Sequence, residues 1–375
     1  MAPIHNWFRF KEGFSANLLS TILHEYDAIL PKGSLSLLDP FCGSGTSLLS
    51  AQGTTGRRIV ATGIERSPFI HFVAQTKCSW PAMDYQTLSD DGILAIEYSN
   101  QFDVDLPSLT SISTGRCISR YVAGRLVAID QAAQCLPVNS SFIRLGLAAA
   151  VEPLSKIRCD GRALRIVKKP RKLINTVLTD FWEKMARDVQ LLSESFPNGS
   201  SMPTVHLGDG RDPLAAGIPR RSVDMILTSP PYPNNIDYSE VYKLELWILG
   251  FIASKEQFLN LRHSTVRSHP TYDRHSSLNE AFEEEVKSGV LKDLLGPVTK
   301  RLDECGEKWR ARMGLAYFSD LWEAVGNYEQ VLKRNGIAAF VIGNSLHGTS
   351  NPAMITSDLI LAKIGVGANR SVIAK

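Results

Sequence analysis

Several features that mark other classes of protein are absent from this sequence. The formal net charge is only +3 over 375 residues. Composition alone therefore does not indicate a nucleic-acid-binding protein, and such a surface must come from local clustering of charge. None of the six cysteines stands in a C-x-x-C pair, so we expect no zinc or other metal site. Scattered cysteines are typical of reduced thiols, which predicts a cytoplasmic location.

Long apolar stretches are also missing. No run of about 18 apolar residues occurs, so we expect no membrane span. The first residues lack a basic segment leading into an apolar run, so we expect no secretory signal. With 44% hydrophobic and 21% charged residues, the composition is that of a soluble globular protein with a substantial core.

The first eighty residues alternate between strand and helix patterns. The apolar runs Leu35–Leu38 and Ile59–Ile64 predict two strands, while Thr46–Gln52 and Pro68–Lys77 predict the helices that follow them. Two strands separated by a helix are typical of a parallel sheet. The sequence therefore predicts an α/β fold with a doubly wound, Rossmann-like sheet.

Two helix-prone insertions interrupt this pattern. An apolar face that recurs from Leu173 to Leu192 predicts a long helix in the first insertion. Strand patterns return at Thr204–Leu207, at Val223–Leu227 and at Ile337–Ile342, where we expect the preceding helix to end at Asn335–Gly336. The resulting division is a first half of the core (1–80), a mostly helical insertion (81–200), a second half of the core (201–251), a second helical insertion (252–314) and the remaining core (315–375).

A glycine-containing loop joins the first predicted strand to its helix. It reads Asp-Pro-Phe-Cys-Gly-Ser-Gly-Thr over Asp39–Thr46, and Glu65 ends the next strand. Glycines allow a close approach of backbone to ligand, and a carboxylate at the next strand end can accept hydrogen bonds from ribose hydroxyls. A dinucleotide loop would need a third glycine where Leu48 stands, and a P-loop would need a Gly-Lys-Ser/Thr ending. The pattern therefore favours an adenosine-containing cofactor that is neither a dinucleotide nor the ligand of a P-loop.

The strand Val223–Leu227 leads through Thr228 into Ser229-Pro230-Pro231-Tyr232. Two prolines make a stiff turn whose carbonyl groups can point outward. The Ser229 hydroxyl and the Pro230 carbonyl can each accept a hydrogen bond from an amino group, which draws its nitrogen lone pair out of conjugation. Tyr232 offers a ring on which a base can stack. The turn therefore predicts chemistry on an exocyclic amine.

These motifs resemble those of the DNA amino-methyltransferases, which act on cytosine N4 or adenine N6. The resemblance covers about half of the chain and implies a class I methyltransferase sheet that binds S-adenosyl-L-methionine. It is carried by the loop Asp39–Thr46, by the serine-headed tetrad, by Gly63-Ile64-Glu65, by a loop at Gly208–Asp212 and, more weakly, by Phe10–Ser15. It implies that Asp209 contacts the adenine amine. The expected catalytic residues are Ser229, Pro230, Pro231 and Tyr232; the expected cofactor-binding residues are Phe14, Asp39, Phe41, Gly43, Gly45, Thr46, Glu65 and Asp209.

The resemblance also implies direct transfer without a covalent enzyme intermediate. Ring-carbon cytosine methyltransferases use a cysteine that follows a proline, and this sequence has no Pro-Cys pair. Serine at the head of the tetrad favours cytosine N4 over adenine N6. An adenine-N6 enzyme, an RNA amino-methyltransferase and a non-catalytic DNA-binding subunit are the alternatives. A restriction-modification or phage-defence role is the expected setting.

A basic cluster in the first insertion is the main candidate for DNA contact. The segment from Lys156 to Lys172 contains eight basic residues and only one acidic residue, Asp160. This pattern favours phosphate binding. The expected DNA-binding residues are Arg162, Arg165, Lys168, Lys169, Arg171 and Lys172. The target base must be flipped into its pocket or be single-stranded, and we expect the segment Asn234–Tyr238 to shape that pocket. A second, weaker candidate patch comprises Arg262, His263, Arg267, His269, Arg274 and His275.

The end of the chain departs from the family pattern. The family's core closes with an antiparallel strand pair after the last helix, whereas here the segment 369–375 has room for one strand at most. An exposed sheet edge invites pairing, so a homodimer or a defence-system partner subunit is a hypothesis.

Overall fold

Five parallel strands form the central sheet of the protein. The structure is a computed structural model, and it describes residues 2–11, 13–106, 116–159, 164–196, 201–234, 236–272, 277–304, 306–347 and 353–367. The strands are Leu35–Asp39 (β1), Ile59–Glu65 (β2), Ile157–Arg158 (β3), Arg165–Ile166 (β4), Thr204–Leu207 (β5), Val223–Thr228 (β6), Leu332–Phe340 (β7), Ser345–His347 (β8) and Ala353–Ile355 (β9).

Helices flank the sheet and form the two insertions. They are Ala2–His5 (α1), Leu18–Glu25 (α2), Thr46–Gln52 (α3), Pro68–Cys78 (α4), Leu88–Tyr98 (α5), Arg120–Gln134 (α6), Ser140–Leu154 (α7), Ile174–Ser195 (α8), Tyr238–Val241 (α9), Lys243–Ile248 (α10), Lys255–His263 (α11), Glu280–Lys287 (α12), Lys292–Glu304 (α13), Lys308–Val331 (α14) and Ser357–Gly367 (α15). Among the helices of the described residues, none combines the length and the apolar character that crossing a membrane requires.

The strand order is β5-β2-β1-β6-β7, with β1 in the centre. Every residue of β6 is buried, as expected for a parallel strand covered on both faces. Strands β1, β2, β5 and β6 begin at the predicted residues, whereas β7 begins five residues before its predicted start at Ile337. The predicted α/β parallel sheet is confirmed. Because the strands are parallel, the loops after β1, β2, β5 and β6 meet at one edge.

The predicted end of the helix before β7 is wrong. That helix, α14, ends at Val331, and the last strand already begins at Leu332. Backbone N–H groups of Arg221 and Ser222 donate to carbonyl groups at the end of α14, which fixes the helix end early. Asn335 does have a positive φ of 67°, but it lies in the irregular stretch where the pairing of β6 with β7 shifts register.

The first insertion shares its core with the sheet. Trp182 of α8 is completely buried in the same hydrophobic cluster as Leu37 of β1. A Cβ atom at Gly92 of α5 or at Gly146 of α7 would overlap its indole ring. These glycines let three helices pack closely around one tryptophan.

Two short strands near the end of the described chain form a small sheet of their own. Strands β8 and β9 pair antiparallel and are separate from the central sheet. Within the described residues, β7 lies at an edge of that sheet. The predicted final strand in 369–375 lies outside the described residues, and the dimer hypothesis stays a prediction.

Candidate active site

One cavity lies at the edge where the strand ends meet. It measures about 970 Å³ including its open mouth. Gly43 from the loop after β1 and the whole turn Ser229–Tyr232 after β6 both line it. The glycine turn and the proline turn, which are 186 positions apart in the sequence between Gly43 and Ser229, therefore share a single cleft.

Close packing gives the glycine loop its shape. Gly43 has a φ of 50°, and a Cβ atom there would lie 2.9 Å from the ring of Phe10. Phe10 lines the cavity and stacks on Tyr238, with ring centroids 5.7 Å apart. The amino-terminal segment thus contributes Phe10 to the cavity wall, whereas the predicted Phe14 is half-buried and is not among the lining residues.

Asp39 stabilises the site from behind the wall. Its side chain is completely buried and accepts hydrogen bonds from Thr228 Oγ1 at 2.8 Å, from the backbone N–H of Phe41 at 3.2 Å and from the Ser47 hydroxyl. Burial raises its pKa to about 6. Asp39 therefore joins the loop after β1 to the end of β6 and does not line the cavity.

Gly45 and Thr46 also lie behind the lining residues. Gly45, at a φ of 85°, packs against Ala74 and Cys78 of α4, and Thr46 begins α3. Of the predicted cofactor-binding residues, those that line the cavity are Phe41, Gly43, Glu65 and Asp209.

Glu65 ends β2 at the cavity wall. Its carboxylate accepts a hydrogen bond from the backbone N–H of Ser67 at 2.8 Å, and the backbone N–H groups of Arg66 and Gly43 also donate to it. Burial raises its pKa to about 7 in spite of these bonds. A carboxylate held by backbone groups of two loops is a fixed acceptor for ligand hydroxyl groups.

Asp209 lies at the end of β5 and is paired with Arg211. The Arg211 Nη2 atom lies 2.6 Å from Asp209 Oδ2, and the same guanidinium lies 3.1 Å from Asp320 of α14. Burial alone would raise the pKa of Asp209, but the hydrogen bonds and charge of Arg211 outweigh it and hold that pKa below its ordinary value. Asp209 is thus a charged acceptor at the cavity wall.

The proline turn presents an acceptor to the cavity. The Ser229 hydroxyl donates to Tyr232 Oη at 3.0 Å, so its single proton is used inside the protein and its lone pairs are left to accept. The backbone N–H of Val341 donates to the Thr228 carbonyl at 2.8 Å and holds the strand end in place. The ring of Tyr232 lies against Gly343.

A segment of the second insertion completes the wall, and no sequence pattern indicated such a role for it. The lining residues from this segment are Leu261, Ser264, Thr265, Val266, Ser268 and His269. Arg262 fixes it to the region after the proline turn through Asp237 at 2.8 Å and Glu240 at 2.6 Å. Arg267 fixes it to Asp320 at 2.8 Å.

This arrangement corrects the weaker DNA-contact patch. Arg267 and His269 are only 8% and 2% exposed, so they face the interior and cannot reach phosphates from where they lie. Arg262 is committed to two carboxylates, while His263 is exposed. Arg274 and His275 lie outside the described residues. The arginines at 262 and 267 hold the wall together.

His269 is fixed by a chain of hydroxyl groups. Thr271 Oγ1 donates to Asp237 at 2.9 Å and therefore accepts from His269 Nδ1 at 3.0 Å. His269 Nε2 lies 3.0 Å from Thr265 Oγ1. Burial lowers the pKa of His269, against the opposing effect of Asp237. The Thr265 hydroxyl itself donates to the Arg262 carbonyl at 2.8 Å, so the hydroxyl groups on both sides of the ring can accept from it.

The basic cluster of the first insertion lies on β3, on β4 and on the residues that follow β4 up to Lys172, which are together called the β3–β4 hairpin. Cys159 lies 3.8 Å from the carbonyl of Val241, at the end of the helix whose first residue, Tyr238, lines the cavity. The predicted DNA-binding residues that are exposed are Arg165, Lys168, Arg171 and Lys172. Lys169 instead donates to the carbonyl groups of Glu152, at 2.7 Å, and Ile157, and burial lowers its pKa. Arg162 lies outside the described residues.

Known proteins resemble this chain along most of its length. The Type II methyltransferase M.AvaI of Nostoc sp. is 24% identical over 401 aligned positions, which cover 96% of this chain and 78% of the relative. The M.AvaI of Anabaena variabilis matches equally well. The chain is similar to Type II methyltransferases.

A further relative, the Type II methyltransferase M.BsoBI of Geobacillus stearothermophilus, is 27% identical over 289 positions, which cover 67% of this chain and 54% of that protein. No family model and no solved structure matches the chain. The five-stranded parallel sheet flanked by helices is consistent with the Rossmann-like fold of methyltransferases.

Proposed function

We propose that the protein is a site-specific DNA methyltransferase that transfers a methyl group from S-adenosyl-L-methionine to the exocyclic amino group of cytosine. The observation that carries the proposal is the shared cleft, in which the glycine turn and the Ser229–Tyr232 turn line one cavity. The similarity to Type II methyltransferases over nearly the whole chain supports it independently. A restriction-modification or phage-defence role follows from the same similarity.

The described residues fit the methyl donor. The cavity wall carries two carboxylates, Glu65 and Asp209, at adjacent strand ends. Glu65 would accept hydrogen bonds from the ribose hydroxyls and Asp209 from the adenine amine. Phe10, Phe41 and Ile64 supply apolar wall for the rings.

The proline turn would hold the base amine. When bound, the donor supplies a methyl group made electrophilic by the neighbouring sulfonium. Ser229 Oγ and the Pro230 carbonyl would accept the two amine hydrogens, which directs the nitrogen lone pair away from the ring. Because the Ser229 proton is engaged by Tyr232 at 3.0 Å, Ser229 is set to accept. Tyr232 would stack on the base.

DNA would approach along the β3–β4 hairpin. Cys159, directly after β3, contacts the end of α9, a helix whose first residue lines the cavity, and the cations of the hairpin other than Lys169 are exposed. Phosphate contacts there would hold the strand while the target base enters the pocket. Lys169 would support the hairpin from inside, because its ammonium group is engaged by backbone carbonyls.

The decisive experiment measures modified bases in cellular DNA and RNA. Genomic DNA and total RNA from cells that express the wild type or Ser229→Ala are digested to nucleosides and analysed by mass spectrometry. We expect N4-methylcytosine in the wild-type DNA and at least a hundredfold less with the variant, a rough figure typical of lost positioning. N6-methyladenine in its place would overturn the choice of base but not the mechanism.

The remaining alternatives give different results in the same experiment. Methylated amines found only in RNA would identify an RNA enzyme. Protein that binds S-adenosylmethionine but modifies neither nucleic acid would favour a non-catalytic DNA-binding subunit. Mock-transformed cells provide the background for all three comparisons.

A further inference from the structure

The outer face of the small β8–β9 sheet is apolar. Leu346 and Met354 lie directly opposite each other in the register of the two strands, so their side chains share one face. They are 63% and 52% exposed. The neighbours of Met354, Ala353 and Ile355, are buried in the hydrophobic clusters on the other side. A leucine and a methionine therefore stand where an antiparallel sheet with one solvated face ordinarily carries polar residues.

This apolar pair follows closely on residues that contact the proline turn. The backbone N–H of Val341 donates to the Thr228 carbonyl at 2.8 Å. Gly343 lies against the ring of Tyr232, because a Cβ atom at that glycine would be 3.4 Å from the ring. Leu346 comes three residues after Gly343, so their Cα atoms are at most about 11 Å apart. The chain thus holds Leu346 near the proline turn.

The β8–β9 sheet is supported by the helix that follows it. The backbone N–H of Asp358, in the first turn of α15, donates to Asn344 Oδ1 at 3.3 Å, just before β8 begins. Ile360 and Ile364 of α15 belong to the same hydrophobic cluster as Ile355. The sheet is therefore packed on one face, and that packing holds the exposed pair in position.

Duplex DNA that delivers a base to the proline turn comes within reach of this pair, because the major groove alone is about 12 Å wide. Moving the target base out of the helix unstacks its neighbours at a cost in free energy. Leucine and methionine are among the side chains that other proteins insert between base steps. The six residues of β8 and β9 include no Asp, Glu, Lys or Arg, which suits contact with stacked bases and not with phosphates.

We propose that Leu346 and Met354 form a wedge that enters the DNA duplex when the target base leaves it and packs against the bases beside the gap. This inference rests on the proposed function, because an enzyme that acts on one base of a duplex must first extrude it. The wedge contacts the DNA and not the reacting amine. Its contribution is therefore greatest when the target base is paired, since a mismatched base is extruded at a lower cost.

Methylation of paired and mismatched duplexes tests the proposal. Mapping the methylated positions in DNA from cells that express the wild type supplies the sequence for two oligonucleotide duplexes, which differ only in the base opposite the target. Leu346→Thr combined with Met354→Thr keeps residues suited to strands and should lower kcat/KM on the paired duplex roughly 10- to 100-fold. On the mismatched duplex we expect kcat/KM within about threefold of the wild type. Leu346→Met combined with Met354→Leu preserves the apolar surface and should behave as the wild type on both.

Leu191→Thr combined with Met202→Thr is the matched control. These residues are also a leucine and a methionine, 59% and 56% exposed, but Leu191 lies on α8 and Met202 comes just before β5, at the strand end opposite the cavity. This variant should methylate both duplexes as the wild type does. Thermal unfolding of each variant checks that it is folded.

Two outcomes would overturn the wedge. One is an unchanged kcat/KM of the double threonine variant on the paired duplex. The other is an equal loss on both duplexes, as expected if the apolar pair were instead a contact with a second copy of the chain, which light scattering would detect. A folded wild type that methylates neither duplex, in cells whose DNA carries no methylated amine, would instead refute the proposed function, whatever the variants do.

Discussion

Asp39 stabilises the framework of the site and does not line the cavity. The sequence placed it in the cofactor loop, but its carboxylate is turned inward, where it accepts hydrogen bonds from the loop, from α3 and from β6. The motif predicts Asp39 as a cofactor-binding residue, but it does not show the direction of the side chain, which is turned away from the cavity lining. That direction depends on Thr228, which is remote in sequence.

Replacement of Asp39 tests this role. Asp39→Ala leaves buried donors without an acceptor, and we expect the free energy of unfolding to fall by about 3 kcal/mol. Urea denaturation followed by circular dichroism measures the change. Asp27→Ala is the control, because its pairs with Lys32 and Arg57 lie at the surface, where ion pairs contribute little, and its effect should be much smaller. A decrease at position 39 no larger than that of the control would contradict the assignment.

Glu65 predicts a pH dependence of cofactor affinity. Its pKa is raised to about 7 by burial, so the carboxylate form, the better acceptor for ribose hydroxyls, forms as the pH rises through about 7. We expect the affinity of the wild type for S-adenosylmethionine to increase between pH 6 and 8 relative to Glu65→Gln, by calorimetry at each pH. Parallel profiles for the two proteins would exclude this role.

The raised pKa of Glu65 also affects the free energy of unfolding, which changes with pH in the direction opposite to the cofactor affinity. A carboxyl group whose pKa is higher in the folded than in the unfolded state binds its proton more readily when folded. The contribution of Glu65 to the free energy of unfolding is therefore greatest below its unfolded value, near 4.5. It is lost as the pH rises through about 7.

At the scale of elements, the sequence predicts the sheet well and the second insertion poorly. Strands β1, β2 and β6 are rich in apolar residues, so the hydrophobic pattern and the following turns identify them. The cavity wall from Leu261 to His269 depends instead on ion pairs such as Arg262–Asp237 and Arg267–Asp320. Those pairs join residues that are 25 and 53 positions apart, between which no local pattern operates.

The β3–β4 hairpin gives a prediction at this scale. Replacing Lys168, Arg171 and Lys172 together by alanine should weaken binding to duplex DNA. The slope of log K against log salt should become shallower by up to about 0.9 for each phosphate that the variant no longer neutralises. Fluorescence anisotropy at several salt concentrations measures both quantities.

The control for the hairpin replaces Lys287, Lys292 and Lys300, exposed cations of α12 and α13, and removes the same charge. We expect it to change the slope much less, because only cations that neutralise phosphates release counterions. An equal reduction of the slope in both triple variants would argue against a specific role for the hairpin.

At the scale of the whole molecule, the cavity exists only in the folded protein, because four strand ends must meet at one edge to form it. A cofactor that binds there should therefore stabilise the fold. A ligand that binds only the folded protein stabilises it by about 2.7 kcal/mol at a hundredfold excess over Kd. We expect S-adenosylmethionine to raise the melting temperature by a few degrees, and NAD and ATP to leave it unchanged, because the loop Asp39–Thr46 lacks the features that their phosphates require. Equal stabilisation by NAD would point to a different cofactor.

The tryptophan enclosed by two glycines has a consequence for building chimeras with a relative. Because Trp182, Gly92 and Gly146 interlock within the hydrophobic cluster that also contains Leu37, transplanting the entire first insertion from a relative would disturb the interior of the recipient. A chimera would keep a packed interior only if these three residues were exchanged together with the core residues around them.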